Sequence, residues 1–275
     1  ASEVIGNHEA PVRAVRSKKD SSIVKGLNMI KEGEGDVFLS AGSTGALLAG
    51  GLFILGRIQG IDRPTLATIY PVMGHQPSIL VDTGANAECK PNNLLEFGIM
   101  GSIYMEEVLG RPNPTVGLIN NGTEEGKGTT LTKAAFEMLK KSHLNFIGNI
   151  EGRDVPSGEA DVIVCDGFTG NIVLKLCEGF GLFLKKTLNQ MFRRNAVTKV
   201  GAVFVSESIK SLKKQMDYSE HGGAPFLGVR APVIKAHGSS NAKAIKNAIR
   251  QANTFAKSGL IEAVTKAAKE KREQE

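Results

Sequence analysis

The chain has 275 residues, 41% of them hydrophobic and 23% charged, with no Trp and only 5% aromatics. That is an ordinary globular composition, and so few aromatic rings argue against base stacking on single-stranded nucleic acid. A net charge of +6 and a pI near 9.2 favour acidic partners: phosphorylated ligands, anionic lipid or an acidic protein. The basic residues are dispersed, which argues against nucleic acid.

Cys89, Cys165 and Cys177 are odd in number and form no CxxC pair. This argues against a disulfide scaffold and a structural zinc site, and it fits a reducing cytosol. Ala1-Ser2-Glu3-Val4 shows no signal-peptide pattern. No stretch reaches about 18 uncharged apolar residues, so no membrane span is expected. Attachment to a membrane surface stays open.

In chain order, residues 1–20 are polar with little periodicity, and 18–22 reads as a loop. Ser22 is predicted to cap a helix through Ile30. A turn at 33–36 leads into a strand at Val37-Phe38-Leu39. A helix of small residues is expected over 45–56, packed closely on a sheet. Strands are predicted over 65–70 and 78–81. Pro91 suits the first turn of a helix running to Leu109. A strand over 115–119 ends in a polar Gly-rich loop, 120–128. A helix over 131–141 and strands over 144–147 and 161–165 follow.

Over 179–217 the pattern predicts two long helices joined by an apolar, basic-flanked connection at Ala202-Val203-Phe204-Val205. Core packing suits the first helix; an exposed interaction surface suits the connection and the Lys-rich second. Residues 218–228 read as a loop and 233–236 as a short strand. His237-Gly238-Ser239-Ser240 leads into a helix from Asn241, and the tail from Lys266 is a charged helix end or frayed terminus. The alternation predicts an α/β fold: a mainly parallel sheet with helices on both faces, as one domain or two lobes, plus a protruding helical pair.

Three predicted strands end alike, in a tight Gly-containing turn. They are Val37-Phe38-Leu39-Ser40-Ala41-Gly42-Ser43-Thr44-Gly45, Ile79-Leu80-Val81-Asp82-Thr83-Gly84-Ala85-Asn86, and Val162-Ile163-Val164-Cys165-Asp166-Gly167-Phe168-Thr169-Gly170-Asn171. Such turns aim backbone N–H groups at the carboxyl end of a strand, a geometry that suits an anion. Several along one sheet edge suggest a site for a phosphoryl or carboxyl group.

In the first turn, Gly42 and Gly45 let backbone approach an anion, and Ser43 and Thr44 carry hydroxyls. The competing reading is a helix cap. The turn is neither a Walker loop nor a dinucleotide fingerprint. The third turn adds Asp166, with Lys175 one helical turn beyond Asn171, placed to meet phosphate or to form an ion pair. Asp82 with Asn86, and Asn120 with Asn121, put polar groups at two more strand ends, where Asx residues also favour turns. His75 and His237 sit beside glycines; His237 suits an acid or an oxyanion donor, while His8 and His143 read as loop residues. Cys165 and Cys177 read as small buried hydrophobes. No Ser–His or Cys–His dyad and no metal-ligand spacing is apparent.

Ser40-Ala41-Gly42-Ser43-Thr44-Gly45-Ala46, Val81-Asp82-Thr83-Gly84-Ala85-Asn86, Asp166-Gly167-Phe168-Thr169-Gly170-Asn171 and Gly222-Gly223-Ala224-Pro225-Phe226-Leu227-Gly228 resemble the bacterial phosphate acyltransferase family, in that order over most of the chain. Family members begin with a further strand and a Gly-Gly-Asp-His-type loop, which is expected to be missing here.

The resemblance implies a fold like isocitrate and isopropylmalate dehydrogenases and phosphotransacetylase. It implies transfer of a long-chain acyl group from acyl carrier protein to inorganic phosphate. The acyl phosphate then passes to a glycerol-3-phosphate acyltransferase. It further implies a cytoplasmic homodimer on the anionic inner face of the membrane, without cofactor or nucleic acid. Phosphate itself is the nucleophile, and a thiolate of pKa about 8.5 leaves without much protonation. The site must position phosphate and stabilise an oxyanion. Ser43, Thr44 and Gly45, with Gly42, are then expected at phosphate, and Asn121, Thr169, Gly170 and Asn171 nearby. Lys175 and His237 stabilise charge, and Asp82 and Asp166 orient neighbours. The segment 179–217 suits the acyl chain, a dimer contact or the membrane.

Two other readings compete. One is a decarboxylating dehydrogenase on a similar fold, which needs an Asp metal cluster and an Arg set that the sequence does not display. The other is a membrane-surface scaffold for lipid-synthesis enzymes, which has no need of polar strand-end turns.

Overall fold

The computed structural model describes residues 1–73, 76–215 and 222–274. His75 and His221, and residues 218–221 of the loop read over 218–228, lie outside the described residues.

The elements follow in chain order as α1 (Pro11–Ser17), α2 (Ser22–Lys31), β1 (Phe38–Ser40) and α3 (Thr44–Gly50), which continues as a π-helical turn, Gly51–Leu55. Then come β2 (Thr65–Tyr70), β3 (Ser78–Val81), α4 (Pro91–Glu107), β4 (Thr115–Asn120), α5 (Thr130–Lys141), β5 (Asn145–Glu151) and β6 (Val162–Val164). The rest is α6 (Gly167–Arg193), α7 (Ala196–Phe204), α8 (Ser206–Gln215), β7 (Ala224–Leu227), β8 (Val233–Lys235), α9 (Ala242–Lys257) and α10 (Leu260–Gln274).

The strands form one 8-stranded sheet in the order β1-β8-β7-β2-β3-β6-β4-β5. The pairings β1·β8, β3·β6, β4·β6 and β4·β5 are parallel, and β2·β3, β2·β7 and β7·β8 are antiparallel. The mainly parallel α/β sheet is therefore present. The three antiparallel pairings make β1 and β8 run opposite to β3, β6, β4 and β5.

Alternate residues of a strand serve opposite faces. Ile79 and Val81 of β3 join Ala67, Leu227 and Ile234 in a core with Phe97, Met100 and Tyr104 of α4 and Phe255 of α9. Phe97, Tyr104 and Phe255 are almost fully buried, each large ring worth about 1.5–3 kcal/mol. The second face divides in two. Over β1, β8 and β7 it is covered by α1, α2 and α3, through Val15, Leu27, Ala46 and Leu47 against Phe226 and Val233. Over β3 and β6 it is covered by α6, through Val173 and Leu174 against Leu80 and Ile163.

Several predicted boundaries change. Ser21, not Ser22, caps α2, its Oγ accepting from Val24 N. The short α1, the strand β7 and a distinct α10 were not expected. Over 179–217 there are three helices instead of two, and the first begins far upstream at Gly167. Nor is that first helix core: only Gly167 and Gly170 of α6 are buried. Gly167–Arg193 is long and apolar enough to cross a membrane by length and composition. Of its interior charges, Lys175 and Glu178 pair at 2.8 Å, Lys185 and Lys186 lie further along, and its first turn is seated in the α/β core.

Candidate functional site

The echoed turns do not line up along one sheet edge. Strand direction places the carboxyl ends of β3, β6 and β4 at one edge and those of β1 and β8 at the other. Two separate groups of turns result.

The first group joins Asp82–Asn86 to Asp166–Asn171. Asp82 is fully buried. Its Oδ1 accepts from the backbone N of Leu66 (3.2 Å), Gly84 (3.1 Å) and Ala85 (3.0 Å). Its Oδ2 accepts from Asn86 N (2.7 Å) and Asn86 Nδ2 (2.9 Å). Burial pushes this carboxyl above its ordinary range, against the pull of those donors. Asn86 spends its amide on Asp82 and on Pro64 O. Asp166 caps α6, accepting from Thr169 N (2.9 Å) and Thr169 Oγ1 (2.8 Å). Gly167 N donates to Asn86 O at 2.8 Å, and Gly167 and Gly170 leave no room for a β-carbon. These acids, amides and glycines build the turn pair. Asn171 is exposed and lies against Gly84; among the described residues its amide has no hydrogen-bond partner.

The second group joins the Ala41–Gly45 turn to the segment after β8. Ala236 N donates to Ser40 O at 2.9 Å, and a β-carbon on Gly238 would meet Ala41 O. Ser43 is buried and caps α3, its Oγ accepting from Ala46 N at 3.4 Å. Gly42 N donates to Ser40 Oγ at 3.1 Å. Gly45 faces Pro11, where a β-carbon would stand 2.6 Å from Pro11 Cγ. Thr44 stays exposed. His237 Nδ1 stands 2.7 Å from Ser239 Oγ and accepts from Ser239 N at 3.2 Å. A Ser–His contact thus exists where the sequence displayed none. It joins exposed residues two apart and orders their own turn.

At the end of β4, Asn120 Nδ2 donates to Lys127 O and to Asn149 Oδ1, both at 3.1 Å. Asn121 is exposed, its backbone N donating to Asn120 Oδ1. Asn120 and the buried Asn149 therefore order the 120–128 loop; Asn149 was not foreseen.

The two groups are linked by the helices that leave them. α3 and α6 both run back over the second face and flank an uncovered strip between them. Its floor carries Ser40, Lys235, Ala224 and Thr68, all partly exposed. Lys235 pairs in register with both Ser40 and Ala224. Thr68 Oγ1 and Thr83 Oγ1 are 3.0 Å apart. Lys175 of α6 exerts its charge on Lys235, and Ala85 packs on the α1–α3 cluster. Lys235, Thr68 and Thr83 escaped the sequence reading, although Lys235 alternates with buried Val233 on a strand.

Burial pushes the Cys165 thiol well up, and that of Cys89 to about 11, which disfavours thiolate chemistry at either. A separate concavity of about 980 Å³ lies along the carboxyl half of α6, lined by Leu182, Met191, Lys185, Lys186, Arg193 and Arg194 among others. It is remote from the strand-end turns.

Comparison with known proteins agrees with this architecture. A family model described as "Fatty acid synthesis protein" matches residues 1–263. A phosphate acyltransferase of Alkaliphilus oremlandii is 55% identical over 264 residues, which are 96% of this chain and 78% of that protein. One of Clostridioides difficile is 53% identical over 260 residues, 94% of this chain and 76% of that protein. A phosphotransacetylase from Streptococcus pyogenes shares the fold with a TM-score of 0.59 at 16% identity, over 84% of this chain and 66% of its own. One from Staphylococcus aureus does so with a TM-score of 0.55 at 15% identity, over 92% and 78%. At over half identity across nearly all of its length, the chain belongs to the phosphate acyltransferase family.

Proposed function

We propose that this chain transfers a long-chain acyl group from the thioester of acyl carrier protein to inorganic phosphate. The supporting observation is the division of labour at the strand ends. Asp82, Asp166, Asn86 and Thr169 are consumed by internal hydrogen bonds, while Asn171, Thr44 and Lys175 point usable donors outward. Such a site grips an oxyanion and needs no protein nucleophile.

A phosphate oxygen attacks the thioester carbon, a C–O bond forms, and the C–S bond breaks. The hydrogen phosphate proton ends on the departing sulfur, so acyl phosphate and free thiol are the products. Asn171 and Lys175 stabilise the tetrahedral oxyanion, and Thr44 with the backbone of 42–45 holds phosphate on the opposite flank. His237 is a further donor on the flank of Thr44, and Asn121 one on the flank of Asn171.

We read the fold as that of the isocitrate and isopropylmalate dehydrogenases, with α6, α7 and α8 as the protruding helices. Ile172, Leu176, Phe180 and Phe183 form an exposed apolar stripe on α6, suited to a second copy of the chain. α7 has no buried residue and, with the cationic concavity, suits an anionic membrane on the cytoplasmic side. There the acyl phosphate passes to a glycerol-3-phosphate acyltransferase.

The test is incubation with acyl carrier protein thioester, with and without phosphate. Free thiol released only with phosphate is expected. Thiol release indifferent to phosphate, or none at all, would sink the reading.

A further inference from the structure

We infer that Lys235 is a phosphate-binding residue of this site, acting with Lys175 across the strip between α3 and α6 on the attacking inorganic phosphate. The inference rests on the acyltransferase reading above and adds a residue that lies in none of the echoed turns.

Position comes first. Lys235 ends β8, flanked in register by Ser40 and Ala224. Val233, two residues earlier, is fully buried under α1–α3. Side chains two apart leave a strand on the same side. Lys235 therefore rises from the second face, where the helices leave the sheet uncovered.

Its partners come next. The Lys235 ammonium donates to Ala236 O, and among the described residues no carboxylate pairs with it. Other shielded cations differ. Lys271 meets Glu96 at 3.0 Å, and Arg111 meets Asp161. A half-buried ammonium without a counter-charge is costly. The charge that does reach Lys235 is another cation, Lys175, whose own carboxylate Glu178 lies one turn along α6 at 2.8 Å. Burial, and then the charge of Lys175, push the Lys235 ammonium below its ordinary value of 10.5. A multivalent anion between the two would relieve both effects.

The neutral groups fit the same ligand. Of the hydroxyls on or beside this floor, Thr83 donates to Leu66 O at 3.0 Å and stands 3.0 Å from Thr68 Oγ1, while Ser40 Oγ accepts from Gly42 N and keeps its proton for a ligand. Two ammonium groups and a neighbouring hydroxyl match a small tetrahedral dianion with four oxygens. That chemistry belongs to inorganic phosphate and also to a phosphodiester on the carrier's prosthetic arm; we assign the former.

Calorimetry with orthophosphate and initial-rate kinetics decide the matter on wild type, Lys235→Met, Lys235→Arg and Lys175→Met. Lys235→Met is expected to weaken phosphate binding and raise the phosphate KM about tenfold to a hundredfold, the scale of one charge-assisted contact. The thioester KM should stay within about twofold, and the melting temperature should hold. Lys235→Arg, which keeps the charge, should bind phosphate more tightly than Lys235→Met. Equal phosphate affinity in wild type and Lys235→Met overturns the inference. So does a loss confined to the thioester KM, which would move Lys235 to the carrier's phosphodiester. If Lys235→Met does not fold, unchanged phosphate affinity in Lys175→Met overturns the paired site. A wild type that binds phosphate through Lys235 yet releases no thiol keeps the site and removes the acyltransferase reading.

Discussion

Gly170 and the backbone of Asp82 meet so closely that no side chain fits between them. A β-carbon at 170 would stand 1.9 Å from Asp82 O and 2.9 Å from Cys165 Sγ. This contact seats the first turn of α6 on the turn after β3, and it brings Asn171 against Gly84. The obstacle is backbone, which cannot swing aside. Gly170→Ala should therefore destabilise the fold by about 3 kcal/mol, the upper end of overpacking costs. Chemical denaturation measures it; an unchanged midpoint would show that α6 is not locked there.

The same contact shows what the sequence made legible. β2 and β3 were readable because each is a short, mostly buried apolar run bounded by turn residues. The glycines of the third turn stood out, but their reason did not: Gly167 and Gly170 serve close packing, and Gly45 makes way for Pro11. β7 was hidden because Gly222, Gly223 and Pro225 punctuate it like a loop. Strand direction was hidden more deeply. The runs before Gly42 and before Gly167 look alike, yet β1 and β6 run oppositely because three antiparallel pairings separate them. Local pattern carries no sheet direction, so the turns were expected on one edge. Lys235 was missed because its meaning depends on two helices distant in sequence.

Thr44 and Asn171 are the exposed donors on the two flanks. Thr44→Ala and Asn171→Ala remove a hydroxyl and an amide that the fold does not use. Each should lower phosphate-dependent turnover by about tenfold or more, the scale of one lost oxyanion donor, while the melting temperature stays within about 2 °C, as for neutral surface changes. Wild-type kinetics in both variants would take these residues out of the site.

The approach to β2 gives a pH-dependent prediction. Asp62 Oδ2 accepts from Asn93 Nδ2 at 3.0 Å, and Arg57 lies 3.3 Å from Oδ1. The Asn93 hydrogen bond, then Arg57, Arg63 and Lys90, hold this carboxyl below its ordinary 3.8 despite some burial. The unfolded chain thus takes up a proton at higher pH than the folded one. The stabilisation is complete above 3.8 and fades as pH falls through the lower folded value. Melting temperature measured from pH 5 down to pH 2 should fall more steeply in wild type than in Asp62→Asn. Parallel slopes would mean that Asp62 titrates alike in both states.

The last prediction concerns α7. Val197, Val203 and Phe204 are 79%, 71% and 84% exposed, which is unusual for large apolar side chains clustered on one short helix. Lys199 lies on the same helix, and Arg193, Arg194 and Lys210 flank it. Inserting Val203 and Phe204 into a bilayer interface gains about 1.5–3 kcal/mol for each, and the cations add attraction to anionic headgroups. Val203→Glu with Phe204→Glu reverses both contributions. The double variant should lose at least about 90% of its binding to phosphatidylglycerol vesicles in co-sedimentation, since even 1.4 kcal/mol is tenfold. Its thiol release on a soluble carrier thioester should be unchanged, because α7 lies away from the strand-end turns. Vesicle binding equal to wild type would assign this helix to another partner.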